Sequence, residues 1–83
     1  MKNSTDIKEE VRKFIIETTF APAEQVKNDT LIFEQGIFDS MGFISLIVFI
    51  ENTFNLNPKD SELLEENFKS VNAIANFIER KLN

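Results

Sequence analysis

The sequence predicts an all-α fold, a small four-helix bundle of three principal helices and one short one, with a long loop between the first two. Three observations point there. Apolar residues recur three and four apart in three separate stretches, no stretch shows the every-second-residue alternation of a half-buried strand, and both prolines, Pro22 and Pro58, fall between the stretches. No internal repeat or low-complexity segment interrupts this pattern, and a chain of 83 residues is read as one domain over residues 1–83, near the lower end of what folds without staples.

The first helix is expected over residues 6–19, where Ile7, Val11, Phe14, Ile15 and Thr18 share a face. Asp6 with Glu9 three residues on has the form of a cap and its capping-box partner. Ala21-Pro22 ends the helix, because proline disfavours the helical region for the residue before it and has no N–H to donate. The connection over residues 20–38 carries the turn formers Asn28, Asp29 and Gly36. Val26, Leu31, Phe33 and Ile37 are its expected apolar anchors. A loop of that length in so small a domain is uncommon and often functional.

The second helix begins after Asp39, a good N-cap, and runs to about residue 54, where Asn55 and Asn57-Pro58 stop it. At about 100° per residue, Phe43, Leu46, Ile47, Ile50 and Phe54 form its core face. Met41, Ser45, Val48, Phe49 and Asn52 then face away. A short helical turn is expected over residues 61–66. Ser70 caps a last helix whose buried stripe is Val71, Ile74, Ala75, Ile78 and Leu82, with Phe77 beside it.

Composition narrows the chemistry. Hydrophobic residues make up 42% of the chain, nine of them Phe, and charged residues 28%, the balance of a folded protein and not of a disordered tail. With neither Cys nor His, the chain lacks disulfides, thiolate metal sites and the commonest general base. The acidic groups Glu9-Glu10, Glu62 and Glu65-Glu66 read as solvated faces, so no metal site is expected. A net charge of -5 and a sequence pI near 4.6 disfavour nucleic acid and anionic lipid and favour basic protein partners. No stretch has the form of a signal peptide or is long enough to span a bilayer, so a cytoplasmic protein without membrane insertion is expected, as a monomer.

Ser40 stands out. It lies in Gly36-Ile37-Phe38-Asp39-Ser40-Met41-Gly42, where the long loop meets an apolar helix. A helix N-terminus offers free N–H groups and the positive end of the macrodipole, which would stabilise a phosphate ester on a first-turn hydroxyl. Capping alone also accounts for an Asp-Ser pair before a helix. A serine nucleophile does not fit, because no His activates it and no Gly-x-Ser-x-Gly elbow surrounds it. Ser40 therefore reads as the substrate of another enzyme.

Residues 30–54 add context. Ile32-Phe33-Glu34-Gln35-Gly36-Ile37 approaches Asp39-Ser40-Met41, and the helix that follows ends in Glu51 and Phe54. In this order the segment resembles the phosphopantetheine-binding region of the acyl and peptidyl carrier protein family, and the first and last helices extend the resemblance over essentially the whole chain. The resemblance implies a stand-alone carrier, not an enzyme, that holds acyl or aminoacyl groups as thioesters on 4'-phosphopantetheine at Ser40. A phosphopantetheinyl transferase would install the arm from coenzyme A with a divalent cation, and an adenylation or acyl-loading enzyme and downstream transferases would use it. Asp39 would cap the helix and aid the transferase. The missing Cys is no obstacle, since the sulfur comes with the arm.

Carriers of bacterial fatty acid synthesis usually place acidic residues along this helix, whereas Ser40 to Ile50 holds no charge here. Different partners are implied. Met41-Gly42 and residues 65–74 are similar to the D-alanyl and aminoacyl carrier branch. Met41, Val48 and Phe49, facing away from the core beside Ser40, are expected to form an apolar docking surface. Gly42 is expected to leave space beside the arm, and Phe43 to fill space that a long acyl chain would need. The alternative is a small helical adaptor that binds a protein through the second helix without a prosthetic group.

Overall fold

Each apolar stripe in the sequence becomes the buried side of a helix. The computed structural model describes residues 4–82. Helix α1 spans Ser4–Thr19, α2 Ser40–Phe54, α3 Glu65–Phe68 and α4 Val71–Leu82, with single 3₁₀ turns at Ala23–Gln25 and Asp60–Glu62. No strand occurs among the described residues, and none of their helices is long and apolar enough to cross a membrane.

Helix α1 starts two residues earlier than expected, so Asp6 lies inside its first turn and is not the cap. An acidic side chain is favoured at either place, by hydrogen bonding at the cap or by the macrodipole one turn in, and its presence alone does not locate the boundary. Ile7, Val11 and Ile15 are buried, Phe14 is half-buried, and Thr18 lies exposed at the edge of the stripe. The helix ends on Phe20, whose φ of 59° is left-handed and whose N–H donates to the Ile16 carbonyl at 2.9 Å. That places the stop directly before Ala21-Pro22, as expected.

The long loop is tied down at several points. The Arg12 guanidinium donates to the carbonyls of Val26 and Ala23, fastening the loop's start to α1. Ile32 donates its N–H to the Lys69 carbonyl and Asn72 donates to the Asn28 carbonyl, both at 2.9 Å, stitching the middle of the loop to the junction of α3 and α4. Val26 is buried and Phe33 and Ile37 are half-buried, but Leu31 is exposed and its neighbour Ile32 takes the interior place. A loop has no period, so the inward one of two adjacent apolar residues is chosen by backbone pairing, here the bond from Ile32 to Lys69. Phe38, not among the expected anchors, is also buried.

In α2, Leu46, Ile50 and Phe54 are buried, Phe43 and Ile47 half-buried, and Asn55 closes the helix in the left-handed region. The turn expected over residues 61–66 resolves into the second 3₁₀ turn and α3. Glu62 holds this corner: its carboxylate accepts the Lys59 backbone N–H at 2.9 Å and pairs with Lys81 Nζ of α4 at 3.0 Å. The Lys59 amide first, and Lys81 second, hold its pKa below the ordinary 4.5.

Ser70 caps α4 as expected, its Oγ accepting the Ala73 N–H at 3.1 Å. Val71, Ile74, Ala75 and Ile78 are buried, and Phe77 is fully inside. Leu82, expected in the stripe, is about half exposed in the last turn of the helix. Helix α4 packs against α1 and α3, and α2 packs against α1.

The phenylalanines tie these contacts together. Ring contacts run from Phe77 to Phe68, Phe43, Phe33 and Phe38, and on through Phe14 and Phe49 to Phe54. Offset or edge-on pairs of this kind add roughly 0.5–1.5 kcal/mol each beyond the area they bury. Of the nine Phe, Phe20 alone stands outside the chain of rings, 89% exposed.

Candidate functional site

The backbone before α2 is folded so that one serine emerges at the helix start. Gly36 turns the chain at φ +74°, a conformation that L side chains rarely adopt. Directly after it, the N–H groups of Ile37 and Phe38 both donate to the Ile32 carbonyl, at 2.9 and 3.0 Å. Asp39 then extends at φ -115°, ψ -167° as the N-cap. Its Oδ1 accepts the Gly42 N–H at 2.9 Å, and its carbonyl accepts the Phe43 N–H at 2.9 Å. Asp39 is thus where the sequence places it.

Ser40 is the first helical residue and is exposed. It sits between two fixed points, buried Phe38 and Gly42. A Cβ on Gly42 would stand 2.9 Å from the Phe38 ring. The space expected to lie open beside an arm is therefore filled by that ring, and glycine is required for the ring's close approach. Sequence inspection misses this role because the contact depends on the loop's shape and not on any helical spacing.

Further along α2, Met41 is 71% and Val48 48% exposed, facing solvent as expected. Phe49 does not join them. It is half-buried and stacked on Phe14 of α1 at 4.2 Å between ring centroids, because an aromatic partner across the helix pair draws the edge of the outward face into contact. Its place in the exposed stripe belongs to Ile44, which is 58% exposed. The spacing of 41, 44 and 48 is itself a helical stripe, a signal that a wheel centred on the core face overlooks.

The remaining acidic groups show no metal geometry: among the described residues no cluster of three or more His, Cys, Asp or Glu could hold an ion. The chain has no His or Cys, and the carboxylate next to Ser40, that of Asp39, is engaged by the Gly42 N–H. An exposed hydroxyl on the first turn of a long helix, beside a carboxylate whose Oδ1 is engaged in this way, can carry a phosphodiester, since the remaining first-turn amides and the dipole favour negative charge. The residues present thus fit a phosphopantetheine group.

Comparison with known proteins agrees with this geometry. The family model described as "Phosphopantetheine attachment site" matches residues 9–78, from α1 through α4. The chain is 36% identical to the D-alanyl carrier protein of Streptococcus mutans over 69 residues, 83% of this chain and 86% of the relative. It is 38% identical to that of Streptococcus sanguinis over the same shares of each. With the D-alanyl carrier protein of Bacillus velezensis it shares 32% identity over 71 residues, 86% of this chain and 91% of the relative. A helical fold that presents a serine at the head of α2, matched along nearly its whole length by this family, belongs to the phosphopantetheine-binding carrier proteins and works as a carrier of that arm, not as an enzyme.

Proposed function

We propose that Ser40 is the attachment point, that Asp39 holds it for the modifying enzyme, and that the cargo is a small aminoacyl group. The observation that carries the assignment is the pairing of Ser40 exposure with the Asp39 cap at the only helix start where a hydroxyl residue follows an acidic cap among the described residues. Ser70, the other serine at a helix start beyond the loop, is 5% exposed and bonded to Ala73. When bound, the arm supplies a terminal thiol on which an acyl group is held as a thioester.

Two features favour a small cargo. Phe43 faces Phe33 and Phe68 at 5.9 and 5.4 Å between centroids, so rings occupy the space between α2 and α3 where a long chain would have to enter. The curated relatives are named as D-alanyl carrier proteins, which supports D-alanine or a similar amino acid. A phosphopantetheinyl transferase, an adenylating enzyme and an acceptor-side transferase are then the partners, met in the cytoplasm. They meet α2 through Met41, Ile44 and Val48, apolar contacts that suit a helix with no charge from Ser40 to Ile50.

Co-expression with a broad-specificity phosphopantetheinyl transferase tests the assignment. The intact mass should rise by one phosphopantetheine, tandem mass spectrometry should place it on Ser40, and Ser40→Ala should remove it. Modification at Ser45 or Ser61 would overturn the assignment to Ser40, and no modification by several such transferases would leave the adaptor reading standing.

A further inference from the structure

Beside Ser40 a shallow cleft of about 340 Å³ opens between the end of α1 and the start of α2, at the bottom of the size range of small-ligand sites. Thr18 lies on one wall, Met41 and Ser45 on the other, and Ile37 and Phe38 of the loop close one end. Asp39 is the single charged residue in the lining, and its carboxylate already accepts the Gly42 N–H. Three other grooves among the described residues carry several charged side chains each, among them Lys8, Arg12 and Glu17 in one, Glu34, Glu65 and Lys69 in a second, and Glu24, Lys27 and Asp29 in a third.

We infer that this cleft is the resting site of the phosphopantetheine arm, an inference that rests on the reading of Ser40 as the attachment point. Beyond its phosphate the arm has no charge: a dimethyl group and a hydroxyl, then two amides separated by methylene pairs. The cleft offers the matching alternation. Ile37, Phe38 and Met41 give apolar surface for the methyls and methylenes, and the exposed hydroxyls of Thr18 and Ser45 can each donate to or accept from an amide. A charged groove would instead have to desolvate its side chains against a neutral chain.

Position favours the same side. The residues before and after Ser40, Asp39 and Met41, both line the cleft, so an arm leaving Ser40 begins at its edge. On the other side of α2 the ring of Phe43, wedged between Phe33 and Phe68, leaves it little room. Tethering does the rest, because a short flexible linker gives an effective concentration of roughly millimolar order, enough for a weak groove to be occupied much of the time. The arm would then alternate between the α1 side at rest and free solution when a partner engages it.

The test uses the modified protein. Isotope-filtered NOEs should connect the arm's methyl groups to the methyls of Thr18 and Met41. The arm thiol should also react with a disulfide reagent roughly threefold slower in the wild type than in Ser45→Trp, which fills the cleft from an exposed position, the free fraction setting the rate. Thr18→Trp repeats the measurement from the opposite wall if Ser45→Trp hinders the transferase. Absence of a mass shift in the wild type would mean that the attachment reading itself fails. A normal mass shift without NOEs to α1, with NOEs to Phe43 or Phe68 instead, or with equal thiol rates in wild type and filled variants would overturn the resting site alone.

Discussion

Gly42 shows how a residue's reason can be hidden while its neighbour's is plain. Asp39 and Ser40 are legible because caps favour few residue types and because the loop, the pair and the apolar helix stand in a recognisable order. The glycine two residues later is explained only by the Phe38 ring packed on its Cα. Gly42→Ala gains up to about 1 kcal/mol in helix propensity but forces a ring that is held by Phe14 and Phe33. Overpacking of this kind costs about 1–3 kcal/mol, so a net loss of about 1 kcal/mol is expected in urea unfolding. An unchanged or raised midpoint would show that the ring yields freely.

At the scale of elements, stops and core faces are readable, whereas the start of α1 and the edges of the faces are less so. The stops at Thr19 and Phe54 follow from Pro22 and from the Asn55 to Pro58 segment, local signals that act without tertiary help. The core face of α2 follows from its own period, with Leu46, Ile50 and Phe54 buried as expected, but its edge does not: Phe49 is drawn in by Phe14 on another helix while Ile44 stays exposed. Val48→Glu should slow modification and loading while leaving the helical circular dichroism and melting temperature nearly unchanged, since Val48 is half in water already. Unfolding would mark that face as core, and unchanged kinetics would move docking to the loop. The corner at Glu62 gives a pH signature. Its folded pKa lies below the ordinary value, so its stabilisation is complete above 4.5 and is lost as pH falls through the folded value. Glu62→Gln should lower the urea midpoint at neutral pH, and the two proteins should converge in acid; parallel curves at every pH would refute the assignment to Glu62.

For the whole molecule, the fold class and the helix count could be read from periodicity, but which helix touches which could not, because amphipathic stripes are all alike in seeking burial. The chain of rings is a property of the assembled fold alone. Phe43 is its link between α2, the loop and α3, and because the ring is half-buried, Phe43→Ala should cost less than the roughly 3 kcal/mol of a fully buried one. The same variant should shelter a long acyl chain from thioester hydrolysis better than the wild type does; equal hydrolysis rates would show that the ring does not limit cargo size. The pairing of α1 with α4 reaches further, into how the protein is made. A ribosome releases α4 after every element it packs on, so the α1 face of Ile7, Val11 and Ile15 is not fully covered until α4 has emerged. Closing so long a loop makes this pairing slow compared with contacts inside each helix. The loop that leads to Ser40 is tied to the α3–α4 junction through Lys69 and Asn72, so its final shape waits on the same event.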